Sequence, residues 1–81
     1  SWQRCKVHFM RNILAHVPAK SKLEFAKKLK QIWLQPDIES ARTYASSFMD
    51  TYEHQYPTAI EVLEQGLEDS LQFYAFKLNR P

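Results

Sequence analysis

Apolar residues return every three or four positions along most of this chain, and Pro18, Pro36 and Pro57 cut the pattern into four runs. Proline lacks a backbone donor and disfavours helix in the residue before it, so each marks an element boundary. In the first run Val7, Met10, Leu14 and Val17 share one helical face. Its beginning is ambiguous: within residues 2–9, Cys5, Val7 and Phe9 alternate with polar neighbours, the period of a strand. Such a strand needs a hydrogen-bonding neighbour, and no other stretch reads as one. The second run opens on Ser21-Lys22-Leu23-Glu24, the spacing of a capping box, and carries Phe25, Leu29, Ile32 and Trp33 as its stripe.

In the third run Asp37 is a natural N-cap for a helix with Ile38, Ala41, Ala45, Phe48 and Tyr52 on one side. Thr58 to Glu61 repeats the capping-box spacing ahead of Ile60, Leu63, Leu67, Leu71 and Tyr74. Gly66, the one glycine of the chain, falls inside that helix. It costs about 1 kcal/mol relative to alanine there, and so marks a bend or a close packing point. The pattern predicts an all-α fold: four helices in a compact antiparallel array, a single domain over 1–81, with a residual strand or frayed segment at residues 2–8 left open.

Eighty-one residues hold one small core, which buries roughly 60% of the surface that the unfolded chain exposes. A hydrophobic content of 44% with 25% charged residues is that of a folded globule rather than a disordered tail. No apolar run approaches the roughly 18 residues of a membrane span, so a membrane partner is not expected. The single cysteine forms no internal disulfide, which favours a reducing, cytoplasmic setting. The absence of an initiator methionine favours a piece of a longer protein.

Charge changes the picture more. The net +2 divides into two unlike halves. Residues 1–36 carry Arg4, Lys6, Arg11, Lys20, Lys22, Lys27, Lys28 and Lys30 against Glu24 alone, a net of +7. Residues 37–81 carry Arg42, Lys77 and Arg80 against eight acids, a net of −5. Either the basic half faces a polyanion, or the two halves pack together and their charges complement each other. The basic helix-turn-helix of the first two runs has the form of a groove-binding unit, although lysine contacts to phosphate carry no base information.

Candidate chemistry is sparse. Cys5 and His8 form a C-x2-H pair, too few ligands for a structural zinc site even with His16 and His54. As a thiol–imidazole nucleophile the pair lacks a glycine-rich turn to bind an oxyanion. Glu61, Glu64, Glu68 and Asp69 share a helix, and such runs are ordinarily solvated faces. Trp33, Phe48, Tyr52, Phe73, Tyr74 and Phe76 fall mostly at helical spacing and are expected in the core rather than under stacked bases. From the residues alone, a helical protein-interaction or oligomerisation module without nucleic-acid binding stays open as an alternative.

The blocks WQRCKVHFMRNILAHVP, WLQPDIESAR and SLQFYAF, in this order, resemble bacterial insertion-sequence transposases of the Mutator type along nearly the whole chain. The resemblance implies a parent enzyme of ribonuclease-H-like fold, cytoplasmic in a bacterium. Its Asp-Asp-Glu triad would hold two divalent metals, Mg or Mn, for DNA cleavage and strand transfer. This stretch would be the helical insertion between the second aspartate and the glutamate. No catalytic residue or metal ligand is then expected within it, and alone it would not cleave DNA. Cys5 and His8 match the family's C-x2-H motif and are expected beside the active site. Residues 2–9 would enter the insertion as a strand of the catalytic sheet and, cut free, would fray or extend the first helix backwards. The implied partners are transposon-end double-stranded DNA, the remainder of the catalytic domain and a second copy of the parent. Arg4, Lys6, Arg11, Lys27, Lys28 and Lys30 are the expected phosphate contacts.

Overall fold

The computed structural model describes the backbone of residues 2–78 and the side chains of residues 6–76. Four helices follow one another: α1 (Trp2–Leu14), α2 (Ala19–Lys30), α3 (Ile38–Tyr52) and α4 (Pro57–Leu78). A short 3₁₀ segment, Gln31–Leu34, prolongs α2. No strand occurs among the described residues. The alternation at Cys5, Val7 and Phe9 therefore does not make a strand, and α1 runs back to Trp2. A helix closes its own backbone hydrogen bonds, whereas a strand there would have left them to an absent neighbour.

The core gathers Met10, Ile13 and Val17 from the first segment, Phe25, Leu29, Ile32 and Trp33 from the second, Ala41, Ala45 and Phe48 from α3, and Ile60, Leu63, Leu67, Leu71 and Tyr74 from α4. The stripes of the last three runs are the ones read from spacing. In α1 the face is rotated: Ile13 is fully buried and Val7 is half-exposed. Phe73 and Phe76, expected inside, are exposed. At about 100° per residue, Phe73 lies about 120° and Phe76 about 180° around the helix from the line through Leu67, Leu71 and Tyr74, away from the face that α4 buries.

Asp37 caps α3 as expected, its carboxylate accepting from the Ser40 amide at 2.7 Å. Neither capping box forms. Pro18, in extended conformation, precedes a helix that begins at once with Ala19, so Ser21 lies inside the first turn, its amide donating to the Pro18 carbonyl. Likewise α4 starts at Pro57, whose fixed φ and missing N–H suit the first helical position, and Thr58 is already helical. In both cases proline starts the helix before the serine or threonine is reached.

The one glycine marks close packing. A Cβ on Gly66 would lie 2.5 Å from Phe9 Cε1, so the ring of α1 seats directly on the α4 backbone. Phe9 also meets Trp33 edge-on at 6.1 Å. Trp33 Nε1 donates to Ser70 Oγ at 3.1 Å, and that hydroxyl donates to the Leu67 carbonyl at 2.7 Å, so the buried polar atoms are satisfied. Tyr74 donates its hydroxyl to the Gln35 carbonyl, tying α4 to the segment before α3. Arg42 and Glu68 stand nearly equidistant from the turn after Tyr52 and form a forked pair, Nη2–Oε2 3.0 Å and Nε–Oε1 3.2 Å. The α3–α4 hairpin is thereby antiparallel.

Candidate nucleic-acid interface

The core side of α2 is set by Phe25 and Leu29, with Ile32 following, and this turns Lys20, Leu23, Lys27 and Lys30 to solvent. Lys20 and Lys27 are seven residues apart, as are Leu23 and Lys30, so the four occupy one outward side of the helix. Lys20, Lys27 and Lys30 have no ion-pair or hydrogen-bond partner among the described residues.

Lys28 sits a quarter turn away and is engaged. Its Nζ donates to Tyr52 Oη at 3.2 Å, lies 5.9 Å from the centroid of that ring and approaches Glu24 at 3.8 Å. The Tyr52 hydroxyl, before the nearby Glu24 charge, holds the ammonium above its ordinary pKa. Tyr44 donates to the Lys28 carbonyl at 2.7 Å, and burial raises the pKa of that phenol. Lys28 thus joins α2 to α3, at the edge of a cluster in which Phe25 packs edge-on against Phe48, Tyr52 and Tyr56.

The remaining candidates divide. Arg11 is exposed on α1, with His8 three residues before it on the same outward side. Lys6 is half-buried, one turn before Met10 on the packed side, and has an interaction of its own. It does not stand with Arg11. The side chains of Arg4 and Cys5 lie outside the described residues. The structure thus assembles Lys27 and Lys30, sets Lys28 at their flank and keeps Arg11 on another helix.

Lys20 was missed from the spacing because the helix start was read at Ser21. Placing the start after Pro18 puts Lys20 one heptad before Lys27, and that proline was the available signal.

Ion pairing bears on how the two halves of the charge split meet. The pairs are Lys28–Glu24 within α2, Arg42 with Glu39 and Glu68, and His54–Glu53. Among the described residues, Arg11, Lys20, Lys22, Lys27, Lys28 and Lys30 form no ion pair with any acid that follows Pro36. The acidic half keeps its own cation, Arg42, and leaves Arg11, Lys20, Lys27 and Lys30 to solvent. Two surface clefts, one bounded by Arg42, Thr43, Ser46, Ser47 and Asp50, the other by Glu24, Lys28, Tyr52, Gln55 and Tyr56, include no histidine or cysteine in their walls. His8 therefore stands apart from both. Among the described residues no three His, Cys, Asp or Glu side chains converge to hold a metal ion. No described helix is long and apolar enough to cross a membrane.

Comparison with known proteins gives this surface a context. Residues 1–80 match the family described as transposase, Mutator family. The chain is 39% identical over 75 residues to the transposase for insertion sequence element IS256 in transposon Tn4001 of Staphylococcus aureus, covering 90% of the chain and 19% of that protein. It is 33% identical over 76 residues to the transposase for element IS1081 of Mycobacterium tuberculosis, covering 94% of the chain and 18% of the relative. Against the transposase for element ISRM5 of Rhizobium meliloti the identity is 30% over 74 residues, with 91% and 19% covered. The chain thus spans about a fifth of the length of these relatives. No solved structure matches it significantly. With the family model matched along almost every residue, this chain belongs to the Mutator family of transposases.

Proposed function

We propose that this chain is a helical segment of a DNA transposase that holds transposon-end duplex DNA on the outward side of α2 and shapes the approach to the catalytic centre. The observation that carries this reading is the set of unpaired cations. Lys20, Lys27 and Lys30 share one side of α2 without a counter-ion among the described residues, in a chain with acids to spare on α3 and α4. A duplex supplies closely spaced negative charge, and each phosphate neutralised releases condensed counterions. Arg11 adds a contact from α1; Lys28, tied to Tyr52, positions α2 rather than meeting DNA directly.

The parent activity, DNA cleavage and strand transfer at an Asp-Asp-Glu centre with two divalent metals, is proposed from family membership. Among the described residues no three His, Cys, Asp or Glu side chains converge, and the ligands of those metals are proposed to lie outside this chain. The contribution proposed for this chain is to bind and orient DNA against the remainder of the catalytic domain, in a parent that assembles with a second copy. In that arrangement Cys5 and His8 lie beside the active site.

Fluorescence anisotropy with labelled duplexes tests the reading. Reversing Lys27 and Lys30 together to glutamate is expected to weaken binding about equally for unrelated sequences, by ten-fold or more at about 50 mM salt. Reversing Glu61 and Glu64 to lysine on α4 is expected to leave affinity within a few-fold. Unchanged affinity in the Lys27→Glu, Lys30→Glu variant would remove α2 from the interface. Absence of binding by the wild-type chain would turn its basic side into a protein-contact surface.

A further inference from the structure

Lysines alone do not account for the outward side of α2. Leu23 is 72% exposed and Leu34 is 63% exposed. Gln31 is exposed between them, and its side-chain amide has no partner among the described residues. One exposed leucine needs no explanation. Here two leucines and an unpartnered amide follow the row of Lys27 and Lys30, at offsets of four, seven, eight and eleven residues from Leu23. A surface built only to be solvated, or only to neutralise phosphates, has no use for that apolar and amide chemistry.

We propose that α2 and the 3₁₀ turn that prolongs it read base identity, with Leu23 and Gln31 as the specificity residues and A·T pairs as their target. This rests on the reading that the outward side of α2 meets duplex DNA. The major groove admits an α-helix and shows each base pair a distinct edge. A side-chain amide offers one acceptor and one donor, the complement of the N6–H donor and N7 acceptor of adenine. An aliphatic side chain meets the thymine methyl, which G·C pairs lack. Lys20, Lys27 and Lys30 reach phosphates from the same side and fix the helix along the groove. Glu24, the one acid of α2, is held 3.8 Å from Lys28, where its charge is offset locally.

The spacing sets the register. Leu23 and Gln31 are eight residues apart, about 12 Å along a helix at its usual rise. Base pairs stack at about 3.4 Å, so the two contacts fall three to four base steps apart. Leu34 extends the apolar surface past Gln31 along the same line.

The test is anisotropy with three duplexes in a G·C background: one with A·T pairs separated by three or four steps, one with the same pairs seven steps apart, and one with none. The wild-type chain is expected to bind the first about ten-fold more tightly than the third, the value of one good amide–adenine pair, with the second in between. Gln31→Ala should remove most of this preference while affinity for the G·C duplex stays the same. Leu23→Ser should reduce it in part. Both residues are exposed, so circular dichroism melts of the variants should match the wild type. Equal wild-type affinity for all three duplexes would overturn base reading and leave the phosphate-contact reading intact, as would a preference that survives both substitutions. No binding to any duplex would overturn both readings.

Discussion

Two carboxylates hold this fold at points where a charge has a definite task. Asp37 accepts from the Ser40 amide at the start of α3, and that hydrogen bond keeps its carboxyl below the ordinary carboxylate range. Glu68 is held down by its hydrogen bonds to Arg42, with the charge of that guanidinium adding to them. Both pKa values are lower in the folded chain than in the unfolded one. Their contribution is therefore present above the usual carboxylate pKa of about 4 and is lost as pH falls through the depressed folded values. Thermal melts from pH 6 down to pH 2 should show stability falling below about pH 4. An Asp37→Asn, Glu68→Gln variant should show a flatter profile, since asparagine still caps a helix while its charge no longer titrates. A fall as steep as in the wild type would place the acid sensitivity in other groups. Asp37 was legible as a cap because it follows a proline and precedes an apolar stripe. The Arg42–Glu68 fork was not, because it spans 26 residues and depends on how two helices are laid together.

At the scale of elements, the contact of α1 with α4 depends on an absent side chain. Gly66 lets the Phe9 ring approach to where a Cβ would lie 2.5 Å away, and that ring in turn packs against Trp33. Alanine at Gly66 gains up to about 1 kcal/mol of helix propensity, but overpacking of this kind costs about 1–3 kcal/mol. Gly66→Ala is thus expected to destabilise the chain by about 1 kcal/mol net, measured by urea unfolding. Phe9→Leu should be non-additive with it, since the smaller side chain relieves the clash. A Gly66→Ala variant more stable than the wild type would mean that the ring moves aside freely. Apolar spacing made α2, α3 and α4 and their buried faces readable, because three of the four stripes are long and regular. The start of α1 was not readable, since Cys5, Val7 and Phe9 fit both periods until α4 supplies the surface on which Phe9 packs. Both capping boxes misled for one physical reason, that a proline just upstream had already begun the helix.

For the whole molecule, the organising feature is charge that the fold leaves separated. The split between +7 and −5 was visible in the sequence, but its consequence was not, because complementary packing of the halves was equally consistent with it. Only the helix arrangement shows that Arg42 consumes the acids it reaches while Lys20, Lys27 and Lys30 stay unpaired among the described residues. Of the six expected phosphate contacts, Lys27, Lys30 and Arg11 stand exposed, Lys28 is drawn toward α3, and Lys6 turns to the packed side. Surface roles of that kind depend on which way each helix is rotated, and in α1 that rotation was misjudged through Val7. The central claim, that this side meets duplex DNA, is tested most directly by the salt dependence of binding. With Lys20, Lys27, Lys30 and Arg11 each neutralising one phosphate, log K against log salt should fall with a slope of about −3.6 between about 50 and 200 mM. A slope between about −3 and −4, made shallower by about two on reversing Lys27 and Lys30, is the predicted result. A flat dependence, or a steep one indifferent to those two lysines, would contradict it.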